Sequence, residues 1–154
     1  MKFINTFFLS IIFIFLQNNI SSQVKNIGLP GIKNYKRADY RGGTQNWSID
    51  QDKNGNMYFA NNNGLIQFDG SSWHKFSLPT QTEIRSLKID SSGKIFVGGN
   101  NEFGYFQNDE KGNLKYHSVS DLVDKKDKLN INLIWRIHIF KGEVIFQSFT
   151  KVFF

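Results

Sequence analysis

Short stretches of the chain alternate hydrophobic and polar residues with a period of two. Trp47 and Ile49 have a polar residue between them, and polar residues also separate Trp135, Ile137 and Ile139. A period of two places successive side chains on opposite faces of an extended strand, whereas an amphipathic helix needs a period near 3.6. The pattern therefore predicts short β-strands that are buried on one face.

Turn-forming residues separate these stretches. Asp52–Gly55 and Asp90–Gly93 each join two apolar runs, and Asn61–Gly64 and Asp69–Gly70 follow in the first of these regions. Glycine and asparagine tolerate the positive φ that tight hairpin turns require. The segment 47–76 is therefore predicted to hold four short strands joined by turns.

The same order of strands and turns recurs along the chain. The run Ser48–Phe59 aligns with Ser86–Val97, which places Gly55 and Gly93 at the same point, 38 positions apart. A third copy occupies 135–146 after a longer, charged connection. Three copies in the same order indicate an internal repeat.

Four antiparallel strands repeated about every 40 residues are typical of β-propeller blades. We therefore predict an all-β fold, with four-stranded antiparallel blades that form a partial propeller over 44–154. The predicted parts are a lead-in segment 23–43, a blade 44–80, a blade 82–118, a connector 119–133 and an incomplete blade 134–154.

Two and a half blades are fewer than the roughly four that a closed propeller needs. A blade has two apolar faces, so the first and last sheets are expected to expose an apolar face and open edges. The chain is therefore expected to be an incomplete, amino-terminal part. Its partners would be the remaining blades of a longer chain or further copies of itself.

The first residues have the pattern of a secretion signal. Lys2 supplies a positive charge, and residues 7–16 are apolar except for one serine. This run is too short for a stable membrane span and suits the hydrophobic region of a signal peptide. The alternative is a buried apolar helix. We predict a signal peptide over 1–22 and export to a bacterial periplasm.

Composition narrows the classes of function. With 0 Cys in 154 residues, the chain has no disulfides, thiolate metal sites or cysteine nucleophiles. The formal charge of +6 comes from 19 Lys and Arg scattered among 13 Asp and Glu. Charge spread in this way favours solubility, and we expect no nucleic-acid contact by this segment.

One set of residues is a candidate ligand-binding site. Trp47, Arg85 and Trp135 occupy equivalent positions on the first strand of each repeat. In a propeller the innermost strands surround the central channel, where ligands usually bind. An aromatic platform beside a guanidinium suits sugar rings and hydroxyls, so a carbohydrate or another small extracytoplasmic ligand is expected. In the alternative, both tryptophans pack between blades and Arg85 is a charge on the rim.

Other motifs carry weaker signals. Asp50–Gly55 has the oxygens and the glycine of the first half of a calcium loop, but Asn61 stands where a bidentate glutamate is needed. His74, His117 and His138 lack the spacing of metal ligands. We therefore expect no metal site, cofactor or catalytic residue, and interpret 50–55 as a hairpin turn.

Several segments resemble a known family: Asp39–Ile49, Gly64–Gly70, Val97–Phe106, Trp135–Ile137 and Phe146–Phe149. They are similar to the periplasmic propellers of bacterial triple-tyrosine regulators. The resemblance implies a two-component-regulator-type propeller that senses an extracytoplasmic ligand, such as a glycan breakdown product. It also implies, in full-length relatives, a triple-tyrosine domain, a membrane helix, and a DNA-binding domain or a histidine kinase. This sequence stops within the third repeat, without those later domains.

The predicted function is therefore the sensory, ligand-binding part of an extracytoplasmic regulator, truncated here and without enzymatic activity. Two alternatives remain open. One is a fragment of a periplasmic propeller enzyme, a polysaccharide lyase or glycosidase, for which converging catalytic carboxylates would be the sign. The other is a propeller scaffold that binds proteins.

Overall fold

The computed structural model of the protein describes residue 28 and residues 31–128 and 130–154. The predicted signal peptide over 1–22 lies outside the described residues, as does most of 23–30. The chain divides into two units, Met1–Lys33 and Asn34–Phe154. The described residues of the first unit contain no helix or strand. Every element below belongs to the second unit.

The second unit is built from antiparallel sheets in which neighbouring strands follow one another in the chain. The first sheet contains β1 (Asn46–Gln51), β2 (Met57–Asn61), β3 (Gly64–Phe68) and β4 (Trp73–Phe76). The second contains β5 (Ile84–Ile89), β6 (Ile95–Gly99), β7 (Phe103–Asn108) and β8 (Leu114–Ser118). The third contains β9 (Arg136–Phe140), β10 (Glu143–Gln147) and β11 (Val152–Phe153). The predicted all-β class is confirmed.

Short helical pieces lie between and before the sheets. They are α1 (Arg37–Tyr40), a 3₁₀ helix (Ser120–Leu122) and α2 (Lys125–Lys128). The sequence analysis did not predict them, because a helix of one turn is too short to show a helical period.

A glycine in the left-handed conformation occupies the turn after the first strand in all three sheets, and the third turn is shorter than the other two. Gly55, Gly93 and Gly142 have φ of 89°, 89° and 85°. This left-handed conformation is costly for residues that carry a Cβ atom, which explains why glycine recurs there. In the first two turns Asp52 and Asp90 accept hydrogen bonds from backbone N–H groups within the turn.

Two hydrophobic cores hold the three sheets together. The first lies between the first and second sheets and includes the fully buried Leu65, Ile84 and Val97. The second joins the second and third sheets, through Phe103 and Phe146 with rings 4.6 Å apart. Burial of large apolar side chains on both sides of the second sheet is the main force that stabilises the stack.

The first strands of the three sheets lie next to each other. β1 contacts β5, and β5 contacts β9. Polar bonds cross from sheet to sheet along these strands: the Ile89 N–H donates to the Asp50 carboxylate at 3.0 Å, and the Ser86 hydroxyl donates to the Ile134 carbonyl at 2.9 Å. The sheets are thus aligned so that equivalent ends of β1, β5 and β9 come together.

The outer face of the first sheet is partly covered, whereas the sequence predicted a bare face; Ile49, on the same face as Phe59, is still 56% exposed. Tyr35 packs against Trp73 with ring centroids 5.1 Å apart, and Tyr40 packs against Trp73 at 5.7 Å. Phe59 and Phe68 complete this aromatic cluster on the sheet. The segment ahead of β1 therefore supplies the apolar cover that a neighbouring sheet would otherwise provide.

The third sheet leaves large apolar side chains exposed, in line with the expectation for the last sheet. Phe140 is 60% exposed and Phe154 is 95% exposed. Where the third sheet meets the second, an apolar groove of about 490 Å³ is lined by residues that include Phe103, Leu122 and Phe153.

Candidate functional site

The predicted site residues occupy irregular positions on the first strands. The register between β1 and β2 shifts around Trp47, and that between β5 and β6 shifts in the same way around Arg85. The Trp135 N–H donates to the Gln147 carbonyl at 2.8 Å, although Arg136 is the residue paired with Gln147. Trp47 and Arg85 are thus extra residues opposite the second strand, and Trp135 directly precedes β9. Such bulges redirect a side chain out of the regular pleat and are frequent beside functional sites.

Strand pairing confirms that these three positions are equivalent. Two residues after each of them lies Ile49, Leu87 or Ile137, and these pair with Phe59, Val97 and Phe146 at matching places in the second strands. The equivalence holds for Trp135 even though the turn of the third sheet is shorter. The repeat therefore presents one residue from each sheet at the same end of the sheets.

The structure brings Trp47, Arg85 and Trp135 together. The Cζ atom of Arg85 lies 3.7 Å from the centroid of the Trp47 ring and 5.5 Å from that of Trp135. At 3.7 Å the guanidinium lies over the indole, where the negative face of the ring attracts the cation. We call this arrangement the Trp–Arg–Trp stack.

The stack contains two N–H groups without an acceptor. Arg85 Nε and Trp135 Nε1 are buried and have no hydrogen-bond partner among the described residues. An unpaired buried donor costs about 1–3 kcal/mol.

One carboxylate contacts the stack. Glu83 Oε1 lies 3.4 Å from Arg85 Nη2, which is longer than a typical charged hydrogen bond. The side chains of Arg85 and Glu83 are 18% and 27% exposed. Arg85 is therefore mostly buried and contacts one carboxylate at the edge of the stack.

Trp47 is the more accessible of the two tryptophans. Its Nε1 donates to Asn62 Oδ1 at 2.7 Å, which fixes the ring, yet the residue remains 38% exposed. Trp135 packs against Phe149 with centroids 5.1 Å apart, and Phe149 is 80% exposed. The stack thus has exposed aromatic surface on both sides.

Glu83, Asn62 and Phe149 were not predicted from the sequence. Asn62 and Phe149 lie in the turns after β2 and β10, and Glu83 lies just before β5. The sequence offered only their position as a signal: these loops lie at the same end of the sheets as Trp47, Arg85 and Trp135, and no residue pattern marks which loop side chain reaches the stack.

The calcium-like segment 50–55 forms a hairpin turn. The Asp50 carboxylate accepts the Ile89 N–H and pairs with Lys88 Nζ at 3.1 Å. Burial acts to raise the pKa of Asp50, but the hydrogen bonds from the Ile89 amide and Lys88 outweigh it and lower the pKa below its ordinary value. The Asp50 carboxylate therefore links the first sheet to the second.

The three histidines lie apart on exposed strand positions. His74 Nε2 is 3.6 Å from Asp69 Oδ2, and His117 stacks on Tyr105 with centroids 5.0 Å apart. His138 is exposed on β9. Within residues 31–128 and 130–154, no group of three or more His, Cys, Asp or Glu side chains is placed to hold a metal ion.

Comparisons with known proteins do not assign the chain to a family. No family model matches it, and neither the curated proteins nor the solved structures include a match. Among the elements of the described segments, no helix has the length and apolar character to cross a membrane.

Proposed function

We propose that this chain is the ligand-binding, sensory part of an extracytoplasmic propeller belonging to a membrane-associated regulator or two-component sensor. In this proposal residues 1–22 direct export to the periplasm, and an output domain outside this segment contacts DNA or transfers phosphate. The segment itself binds the ligand and performs no catalysis.

The arrangement of the sheets supports the propeller part of the proposal. Blades of a propeller are four-stranded antiparallel sheets whose first strands surround a central channel. Two four-stranded sheets and a three-stranded sheet with adjacent first strands match that description. The remaining blades would come from a longer chain or from further copies of this one.

The single observation that carries the binding function is the Trp–Arg–Trp stack. Three sheets each contribute one residue to the same point, where Trp47 remains 38% exposed. An exposed indole face beside a guanidinium offers a ligand both a flat apolar surface and hydrogen-bond donors. Indole faces pack against the C–H surfaces of sugar rings, so the ligand is a carbohydrate or a similar small ring compound.

Calorimetric titration of the full chain with a panel of oligosaccharides from polysaccharide digests tests this function. Replacing Trp47 with alanine removes one aromatic platform and should weaken binding about three- to tenfold, equivalent to the 0.5–1.5 kcal/mol of an aromatic contact. The matched control is Phe140→Ala, an exposed aromatic residue at the opposite end of β9, which should leave binding unchanged.

The opposite result is also clear. If no saccharide in the panel binds, or if Trp47→Ala and Phe140→Ala bind alike, the stack is a structural joint between sheets and the proposed function is wrong.

A further inference from the structure

An aromatic cavity lies between the first sheet and the segment ahead of β1. It is lined by Tyr35, Tyr40, Asn46, Phe59, Ile66 and Trp73. The rings of Tyr35, Tyr40 and Phe59 are inclined to that of Trp73 by 77°, 52° and 43°, and the cavity has a volume of about 230 Å³. All four rings are half-buried, so a small molecule can reach them from solvent.

The size and the walls of this cavity favour a single aromatic ring. A cavity of about 150 Å³ is enough to hold benzene, so one of about 230 Å³ accommodates a benzene ring with a short substituent. Aromatic pairs gain energy beyond the apolar area that they bury. An aromatic ligand therefore gains more from these walls than a saturated ring of similar size.

Positive side chains lie beside the cavity. Tyr40 and Trp73 also line a wider, polar depression, to which Arg41 and Lys75 belong. Arg41 and Lys75 are exposed, and neither forms an ion pair with a described carboxylate. A guanidinium and an ammonium that are both accessible can bind a carboxylate.

The nearby carboxylates already bond elsewhere. Asp39 lines the same depression, and its Oδ2 accepts the Lys36 N–H at 2.6 Å at the start of α1. Asp69 does not line the depression and accepts backbone N–H groups of its own turn at 2.8 and 2.7 Å. The excess of positive charge in the depression therefore favours an anion.

The larger apolar groove between the second and third sheets differs in this respect. Its lining contains no charged residue. The aromatic cavity thus combines apolar walls with neighbouring cations, and the groove does not.

We propose that the aromatic cavity binds a small aromatic acid. The benzene ring packs among the four aromatic side chains, and a carboxylate on a short linker lies in the polar depression with Arg41 and Lys75. None of these residues belongs to the Trp–Arg–Trp stack, so this second site does not depend on the proposed function.

Calorimetric titration of the full chain at pH 7 compares phenylpropionate with two relatives. Phenylpropanol keeps the ring without the charge, and phenylpropionate should bind about threefold or more tighter than this alcohol. The preference should weaken as salt rises, because the added contact is ionic. Cyclohexylpropionate keeps the charge without the aromatic ring, and it should bind about two- to tenfold more weakly than phenylpropionate.

Charge variants assign the preference for the acid to the depression. Arg41→Gln and Lys75→Gln should each reduce this preference, and the double variant should abolish it. The matched control Arg136→Gln removes an exposed arginine on β9 and should preserve it. Asp39→Asn keeps an oxygen that can accept the Lys36 N–H but removes the negative charge, so it should tighten binding of the acid without changing that of the alcohol.

Trp73→Leu tests the aromatic walls. It should weaken binding of both the acid and the alcohol, because Trp73 contacts the other three rings of the cavity. The glutamine and asparagine variants leave the aromatic cavity unchanged, so they remain informative if Trp73→Leu does not fold.

Several outcomes would overturn the inference. They are no binding of phenylpropionate, equal affinities for acid and alcohol, and tighter binding of cyclohexylpropionate than of phenylpropionate. Binding that is unchanged in Arg41→Gln and Lys75→Gln but falls in Leu122→Ala would place the acid in the apolar groove, and the inference would again be wrong. Saccharide binding is measured separately with Trp47→Ala, so either proposal can fail while the other stands.

Discussion

Replacing Asn61 with alanine tests how the segment ahead of β1 is held on the first sheet. Asn61 is fully buried at the end of β2. Its Oδ1 accepts the Gly43 N–H at 2.6 Å and the Asn63 N–H at 3.0 Å. Its Nδ2 donates to the Gly43 and Gln45 carbonyls, both at 3.0 Å, and to a further side-chain oxygen. One side chain thus satisfies both backbone groups of Gly43.

The expected cost follows from which of these groups stay buried. The N–H and carbonyl of Gly43 are buried, and alanine leaves both without a partner. An unpaired buried polar group costs about 1–3 kcal/mol, and the more exposed partners can bond to water instead. We therefore expect Asn61→Ala to lower the free energy of unfolding by about 2–4 kcal/mol.

Urea unfolding, followed by tryptophan fluorescence, measures this free energy. The matched control is Asn62→Ala, whose side-chain hydrogen bonds to Gln45 and Trp47 are exposed, and which should cost less than about 1 kcal/mol. Trypsin should also cleave after Arg41 faster in Asn61→Ala than in Asn62→Ala, because the segment is released. A loss below about 0.5 kcal/mol, or equal losses for the two variants, would refute the reasoning.

Two further predictions concern the cores. In the same urea assay, Phe103→Ala should lower the free energy of unfolding by about 3–5 kcal/mol, because the ring is 2% exposed and packs against Phe146 and Phe153. The control Leu122→Ala removes a side chain that is 84% exposed and should change the free energy of unfolding by less than about 0.5 kcal/mol. Burial, together with the charge of Asp52, raises the pKa of Tyr58 from 10.0 to about 12. The folded state holds the Tyr58 proton more tightly than the unfolded state, so the stability that this proton provides is complete below pH 10 and is lost as pH rises to 12. The melting temperature should therefore fall more steeply between pH 9 and 12 for the natural chain than for Tyr58→Phe. Equal slopes would contradict the assignment of this pKa to Tyr58.

The strands and the stack could be predicted because both leave periodic marks in the sequence. A strand that is buried on one face requires hydrophobic and polar residues to alternate. The turn after it requires glycine at positions with left-handed φ, such as Gly55 and Gly93. Alignment of Gly55 with Gly93 places Trp47 and Arg85 at the same position, and the alternating pattern of the third repeat places Trp135 at the start of its first strand. Trp47, Arg85 and Trp135 could therefore be placed together before any coordinates were known.

The parts that were missed depend on loop conformation. Which loop residue reaches the stack is decided by turns without periodicity, so Glu83 and Phe149 carried no signal of their own. The cover of the first sheet was missed for the same reason, since α1 is a single turn and its contacts depend on Tyr35 and Tyr40 arriving from outside the repeat. The hydrogen bonds of Asn61 to Gly43 span 18 residues and follow from no local rule.

The aromatic lid that Tyr35 and Tyr40 place over the first sheet gives the assembly a direction. The lid is synthesised before β1, so the first sheet finds a partner for its outer face as soon as it forms, and each later sheet then docks on its predecessor. A further sheet can dock on the third sheet, where Phe140 still faces solvent. If the chain is part of a closed propeller, as we propose, the final sheet must either displace this lid or clamp it in place, which makes the lid the point where closure is decided.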